Sequence, residues 1–299
     1  MLPFFFEYFN MIKSFSQRNN VSKLLLLVLV LLISVLCFTP IAMLIGNAIA
    51  NAGGSTASVL KVSQVVSSIG IMIVPSFIFI ILINQKPTTY LYLSKAFTIK
   101  QFLLTNIVYF ASVPFITGLT ILNQNVHLPD SWQSFENYIL ESEQKIELLT
   151  YQMLDLSSPY SWITNFLVIA LVAGISEEIL FRGTLQKILT SSMKRVWLAV
   201  LITNIIFSFI HFQFYGFIPR LALGIIFSLI VLRTNNLWLA IYAHTLNNTM
   251  ALVEMHYDMK NTLIDFIYQL SPIYSILIYS TSFFVMVFSI FKLRVINRL

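Results

Sequence analysis

The sequence predicts an all-α protein, a polytopic transmembrane helical bundle of about eight spans with both termini in the cytoplasm. Of its 299 residues, 58% are hydrophobic and only 10% are charged, whereas soluble domains carry roughly 25% charged residues. The apolar residues form long runs, and the basic residues cluster between those runs. A soluble domain of this length could not bury so much apolar surface, so a multi-pass integral membrane protein is expected.

The spans follow from run length, because a helix needs about 20 mostly apolar residues to cross a bilayer. No long linker, low-complexity tract or internal repeat divides the chain, so a single integral membrane domain over 1–299 is predicted. The first run is too long for a cleaved signal peptide and is interpreted as a retained span. The predicted spans, in order, are 24–49, 62–84, 101–122, 161–189, 196–213, 217–233, 236–253 and 266–291.

Residues 123–160 form the one sizeable polar segment between spans. This segment is acidic, and its middle part, DSWQSFENYILESEQKIELLTYQML, has helical periodicity. It is predicted to be an extracytoplasmic loop that holds an amphipathic helix.

The loop charges predict the orientation. With the N-terminus in the cytoplasm, thirteen lysines and arginines fall on the cytoplasmic side and four on the other side, as the positive-inside rule requires. The net charge of +6 is thereby explained by topology, so no nucleic-acid partner is predicted and the lipid bilayer is the expected surroundings. The single cysteine, Cys37, excludes an intrachain disulfide.

Two adjacent acids interrupt the fourth span. Glu177 and Glu178 lie in FLVIALVAGISEEILFRGTLQKIL, with Arg182 four residues beyond Glu178. Ionisable groups at membrane depth are costly and mark functional sites. The i, i+4 spacing favours an ion pair between Glu178 and Arg182, which leaves Glu177 free to act as a general base. The alternative is a polar cluster that only holds helices together.

Two later spans add imidazoles. Phe207 and His211 lie four residues apart in one span, and His244 and Asn248 lie four apart in another; Asn247 could replace Asn248 geometrically. At 1.5 Å per residue, His211 lies about 25 Å from the cytoplasmic turn near 194–195, the same depth as the acids. From Arg233, His244 and Asn248 lie about 16 and 22 Å deep by the same rise. These depths allow the side chains to meet.

The three motifs together resemble those of a known family. E-E-x-x-x-R, F-x-x-x-H and H-x-x-x-N, in this order on separate membrane helices, are similar to the motifs of the CPBP family, the CAAX-protease and bacteriocin-processing (Abi) intramembrane peptidases. The resemblance covers 165–253, and a catalytic core at about 161–253 is expected. The first 160 residues carry no such resemblance.

The resemblance implies a role for each residue of the motifs. Glu177 and His211 would activate a water molecule, while His244 and Asn248 would stabilise the oxyanion. Glu178, Arg182 and Phe207 would support the site. No cofactor is expected; the alternative is a zinc ion bound by Glu177, His211 and His244, since two imidazoles and a carboxylate can bind zinc.

The predicted function is that of an intramembrane endopeptidase. Its substrate would be a peptide or protein near the membrane, with a lipidated one as an option, and a bacterial cell membrane is the expected location. One alternative is a non-catalytic membrane regulator or a bacteriocin self-immunity protein of the same fold. Another is a small transporter, since Glu, His and Arg also build proton relays, but the repeated halves or broken helices typical of transporters are not evident.

Overall fold

The computed structural model describes residues 19–154, 159–257 and 262–293. All the regular structure in these ranges is helical. We number the helices α1 to α11. They are α1 Asn20–Asn51, α2 Thr56–Leu82, α3 Pro87–Tyr90, α4 Ile99–Gln124, α5 Gln133–Met153, α6 Tyr160–Ser192, α7 Val196–Phe209, α8 Phe217–Thr234, α9 Leu237–His256, α10 Thr262–Gln269 and α11 Pro272–Lys292.

Six of these helices are long and apolar enough to cross a membrane, namely α1, α2, α4, α6, α8 and α11. The other two predicted spans are also helical, but α7 has 14 residues and α9 carries several polar side chains. The all-α, polytopic fold class is therefore confirmed, with eight spans as an approximate number. The cytoplasmic placement of the termini stays a prediction; residues 1–18 and 294–299 lie outside the described residues.

The last predicted span, 266–291, begins too early. The structure divides it into α10 and α11, with the break at Leu270 and Ser271. Pro272 opens α11, the position at which proline's missing N–H costs a helix nothing. The predicted helix in the polar segment 123–160 is present as α5; residues 155–158 of that segment lie outside the described ranges.

Helix α6 lies at the centre of the bundle and approaches α9 closely. A Cβ added at Gly174 of α6 would lie 2.9 Å from the hydroxyl oxygen of Thr245 and 3.3 Å from its backbone nitrogen. Glycine is therefore required for this separation, as small residues are at many membrane helix interfaces. The contact brings the acidic segment of α6 beside His244, the residue that precedes Thr245.

Helix α6 changes its winding on both sides of the acids. The α-helical segment Ala173–Glu178 is flanked by two π-helical segments, Phe166–Val172 and Ile179–Leu185. The hydroxyl of Thr184 donates to the carbonyl oxygen of Ile179 at 2.9 Å, within the second π segment. π-Bulges occur frequently at functional sites, and here they alter which side chains of α6 share a face.

Candidate active site

Glu178 and Arg182 form a fully buried ion pair. Arg182 Nη1 donates to Glu178 Oε1 at 2.8 Å, and both side chains are 0% exposed. Arg182 Nη2 also donates to Asn204 Oδ1 at 3.0 Å and to the carbonyl oxygen of Gly224 at 3.2 Å. The pair expected from the i, i+4 spacing is thus present, and Arg182 additionally joins α6 to α7 and α8.

The surroundings of Arg182 leave no spare volume. A Cβ at Gly224 would lie 2.4 Å from Asn204 Oδ1 and 3.0 Å from Arg182 Nη2. The guanidinium carbon lies 4.4 Å from the ring centre of Phe207, a favourable cation–π distance. Phe207 therefore packs directly on the charged pair.

His244 lies between the two glutamates. Its Nδ1 is 2.8 Å from Glu178 Oε1, and its Nε2 is 3.6 Å from Glu177 Oε2. Neighbouring residues of a helix point about 100° apart, yet an imidazole has nitrogens on two sides and reaches both acids. Phe227 stacks on the imidazole at 5.1 Å between ring centres.

The hydrogen bond between His244 and Glu178 fixes the position of one proton on the imidazole. An ionised carboxylate only accepts hydrogen bonds, so the 2.8 Å contact places a proton on Nδ1 of His244, whereas Nε2 lies 3.6 Å from Glu177, beyond hydrogen-bond range. Glu178 thus accepts from both Arg182 and His244. Buried charges are tolerated in such paired, hydrogen-bonded arrangements.

His211 lies just after the end of α7, and one of its ring nitrogens is already hydrogen-bonded. Its Nδ1 lies 2.7 Å from the carbonyl oxygen of Phe207, and a carbonyl can only accept, so Nδ1 carries a proton. In the neutral ring Nε2 then holds the lone pair. The next residue, Phe212, has φ 52°, an unusual conformation for a bulky side chain, where the chain turns sharply.

The structure separates His211 from Glu177 more than expected for a hydrogen-bonded pair. Among the described residues, His244 alone places an imidazole nitrogen within 4.0 Å of the Glu177 carboxylate. A general base and its assisting group can also act through one water. Both side chains face the same cavity.

Asn248 lies one turn after His244 on α9. Its Nδ2 is 3.4 Å from the carbonyl oxygen of Ile169 on α6, and Asn247 Nδ2 is 3.5 Å from Asn248 Oδ1. A carboxamide has two N–H donors, so Asn248 retains a second donor besides the one directed at α6.

All four predicted catalytic residues line one cavity of about 590 Å³. This lies in the range of roughly 300–1,000 Å³ that is usual for ligand sites. The lining includes Glu177 from α6, His211 after α7, and His244 and Asn248 from α9. The structure therefore brings together the acid, the imidazoles and the amide that the motifs single out.

Helix α5 covers one side of the cavity, which sequence reasoning missed. Ile146, Thr150 and Met153 contribute to the lining. The helix is attached to the loop after His211, since the backbone N–H of Tyr215 donates to Glu143 Oε1 at 2.9 Å and its hydroxyl donates to Glu136 Oε1 at 2.7 Å. The hydrogen bond from Tyr215 lowers the pKa of Glu136 below its ordinary value.

Arg220 is a second lining residue that sequence reasoning missed. It is one of the four basic residues that the loop count assigns to the outer side, and the structure puts it in the first turn of α8, lining the cavity. Pro219, which suits the first turn of a helix, and the apolar run after Arg220 were the available signals.

The described residues do not assemble the zinc set considered above. No group of three or more His, Cys, Asp or Glu side chains among them has an arrangement that could hold a metal ion. Nδ1 of His244 is hydrogen-bonded to Glu178, so Nε2 is the nitrogen of that ring that could face a metal. We therefore derive no step through a metal.

Residues 159–250 match a family model described as Rce1-like, type II CAAX prenyl endopeptidase. The resemblance to the CPBP family is confirmed. The matching region includes every motif residue from Glu177 to Asn248. No curated protein and no solved structure matches the chain. The six apolar helices support an integral membrane protein, and its segment 159–250 is similar to a protease family.

Proposed function

We propose that this protein is an intramembrane endopeptidase that hydrolyses a peptide bond in a membrane-associated peptide or protein. The observation that carries the proposal is the single cavity lined by Glu177, His211, His244 and Asn248. The Rce1-like match over 159–250 supports the same reaction class. A lipidated peptide is a suitable substrate, and a bacterial cell membrane is the expected location.

Glu177 is the proposed general base. Its side chain is 14% exposed, towards the cavity, whereas the side chain of Glu178 is fully buried. Glu177 would take a proton from water while the water oxygen attacks the scissile carbonyl carbon. His211, with its Nε2 lone pair, would orient that water. The proton then passes to the leaving amine as the C–N bond breaks.

His244 and Asn248 are the proposed donors to the oxyanion. The Nε2–H of an imidazolium and a free amide N–H suit the negative charge that develops on the carbonyl oxygen, and loss of one such donor typically costs on the order of 10²–10³ in kcat. Glu178 and Arg182 would hold His244 in place, because Glu178 accepts from both cations.

The test is hydrolysis by the purified, reconstituted protein. A library of membrane-associated peptides is incubated with wild type, Glu177→Ala and His211→Ala, with and without chelator, and the products are mapped by mass spectrometry. We expect cleavage by wild type alone, unaffected by chelation. Cleavage that survives both substitutions would overturn the residue assignment. No cleavage of any peptide by the folded wild type would favour a non-catalytic regulator. Cleavage that is lost on chelation and restored by zinc would show that the reaction needs a metal.

A further inference from the structure

An apolar groove of about 410 Å³ lies between α7 and α8. None of the residues that line it also lines the cavity around Glu177. All of them are Val, Leu, Ile or Trp; the α7 side is formed by Val196, Trp197, Val200 and Leu201, and the α8 side includes Ile225 and Leu229. Lipid tails are as apolar as leucine side chains, so an acyl chain of the bilayer is a suitable occupant for this groove.

Two free cations lie at one end of the groove. Lys194 and Arg195 directly precede Val196, and both are exposed. Within the described ranges, neither side chain forms an ion pair with a carboxylate. Helices α7 and α8 contain no Asp or Glu. The end of the groove therefore carries positive charge that the protein itself does not neutralise.

The other cations at this end of the bundle differ in their availability. Arg233 follows the groove side of α8, but its guanidinium donates to the carbonyl oxygens of Phe291 and Leu293 at 2.7 and 3.1 Å. Asn20 Nδ2 donates to the carbonyl oxygen of Ser191 at 2.7 Å, so the first turn of α1, with Lys23, lies close to the turn between α6 and α7. An anion at Lys194 and Arg195 would thus also be attracted by Lys23.

The two helices of the groove are also the ones that hold Arg182. Its Nη2 donates to Asn204 Oδ1 on α7 and to the carbonyl oxygen of Gly224 on α8, and Asn204 Nδ2 donates to Ser228 Oγ at 2.8 Å. Leu229, which lines the groove, directly follows Ser228. A molecule that fills the groove would therefore contact both helices beside this hydrogen-bond network and hold them together.

We propose that the groove binds an anionic phospholipid, with its phosphate group at Lys194 and Arg195 and an acyl chain between α7 and α8. Basic residues beside a gap between membrane helices suit charged lipid head groups. Trp197 is 57% exposed at the same end of the groove, and tryptophan is enriched at the level of the head groups. The lipid is a bound structural component and not a substrate, so this inference is independent of the proposed peptidase activity.

The test uses the fluorescence of Trp197, which lines the groove. A variant in which the other three tryptophans are replaced by Phe is reconstituted in phosphatidylcholine vesicles. Phosphatidylglycerol or phosphatidylcholine with brominated acyl chains is then added, because bromine quenches a tryptophan that it contacts. From the attraction of two cations, phosphatidylglycerol should bind on the order of 10- to 30-fold more tightly. A variant that keeps only Trp238, which lies outside the groove, should show a smaller difference.

Two further variants separate the groove from the general charge of this end. Lys194→Gln/Arg195→Gln should lose the preference for phosphatidylglycerol. Lys86→Gln/Lys100→Gln, which removes two exposed cations outside the groove, is the matched control and should keep it. Equal quenching of Trp197 by both lipids, or a preference retained in folded Lys194→Gln/Arg195→Gln, would overturn the proposal. Absence of quenching by either lipid would also overturn it, and a crosslinked dimer in the same vesicles would then assign the groove to a second copy of the chain.

Discussion

Helices α1 and α6 are of similar length but differ in hydropathy, in burial and in where their charged residues lie. α1 has a mean hydropathy of 3.0 over its most apolar window, which is 22% buried, and its one charge, Lys23, lies in the first turn. α6 has a mean hydropathy of 1.8 over a window that is 44% buried, and it carries Glu177, Glu178 and Arg182. The charged side chains thus lie on the helix that other helices enclose, where each is close to an oppositely charged or polar group.

Removing a member of the charge cluster should cause the largest loss of stability. Arg182→Ala leaves Glu178 buried without its guanidinium and removes the links to Asn204 and Gly224. Loss of one partner of a buried pair costs about 3–5 kcal/mol, so we expect a large fall in the free energy of unfolding measured in detergent. The double variant Glu178→Gln/Arg182→Met should lose less stability than Arg182→Ala. A double variant that is less stable than the single one would contradict this account.

Shortening a side chain on the lipid-facing side of α1 should cost little stability, whereas shortening one on its packed side should cost much more. Leu27 is 1% exposed and Leu36 is 75% exposed. We expect Leu27→Ala to destabilise by about 2–5 kcal/mol, and Leu36→Ala to stay within about 0.5 kcal/mol. Thermal unfolding of both variants in the same detergent measures the difference. Equal losses would show that α1 is enclosed on both faces.

A single methyl group tests how tightly the cluster is packed. Gly224→Ala places a Cβ 2.4 Å from Asn204 Oδ1, whereas Gly46→Ala on α1 meets a serine hydroxyl at 3.1 Å and a valine methyl at 3.3 Å. Overpacking costs about 1–3 kcal/mol, so Gly224→Ala should lower the melting temperature more than Gly46→Ala does. The reverse order would mean that α8 can move away from α7 at little cost.

The smallest effect is expected for the contacts that attach α5 to Tyr215. They should weaken at acidic pH. Because the Tyr215 hydrogen bond holds the pKa of Glu136 below its ordinary value of 4.5, its contribution is present above 4.5 and disappears as the pH falls through the lower, folded value. Hydrogen-exchange protection of α5 should therefore decrease over that acidic window. Tyr215→Phe should reduce protection at neutral pH and flatten the dependence. An unchanged profile in Tyr215→Phe would assign the attachment to other contacts.

The sequence predicted most of the fold because long apolar runs indicate which segments form membrane helices, although run length missed the break at Leu270 and Ser271. It also predicted the pairing of Glu178 with Arg182, since that contact depends only on spacing along one helix. His244 as the bridge between both acids was not predictable in this way. Its position depends on the close approach of α6 and α9 at Gly174 and on the π segments of α6, which are properties of packing.

Arg220 shows a second limit of prediction from the sequence. A basic residue near the end of a span is normally counted with the adjacent loop, because long side chains reach the interface. Its direction into the cavity depends on the turn from Phe212 to Gly216 and on Gln213, which no spacing rule describes. The covering of the cavity by α5 depends in the same way on the distant residue Tyr215.

The most direct test of the central claim, that the charge cluster of α6 serves catalysis, is peptide hydrolysis by Glu177→Gln. The amide has the shape of the acid but cannot accept a proton from water, so we expect turnover to fall by on the order of 10²–10⁴-fold while the melting temperature stays close to that of wild type. Glu254→Gln is the matched control, since Glu254 lies on α9 in a neighbouring pocket outside the cavity that Glu177 lines, and should keep wild-type turnover. Full activity in folded Glu177→Gln would contradict the account.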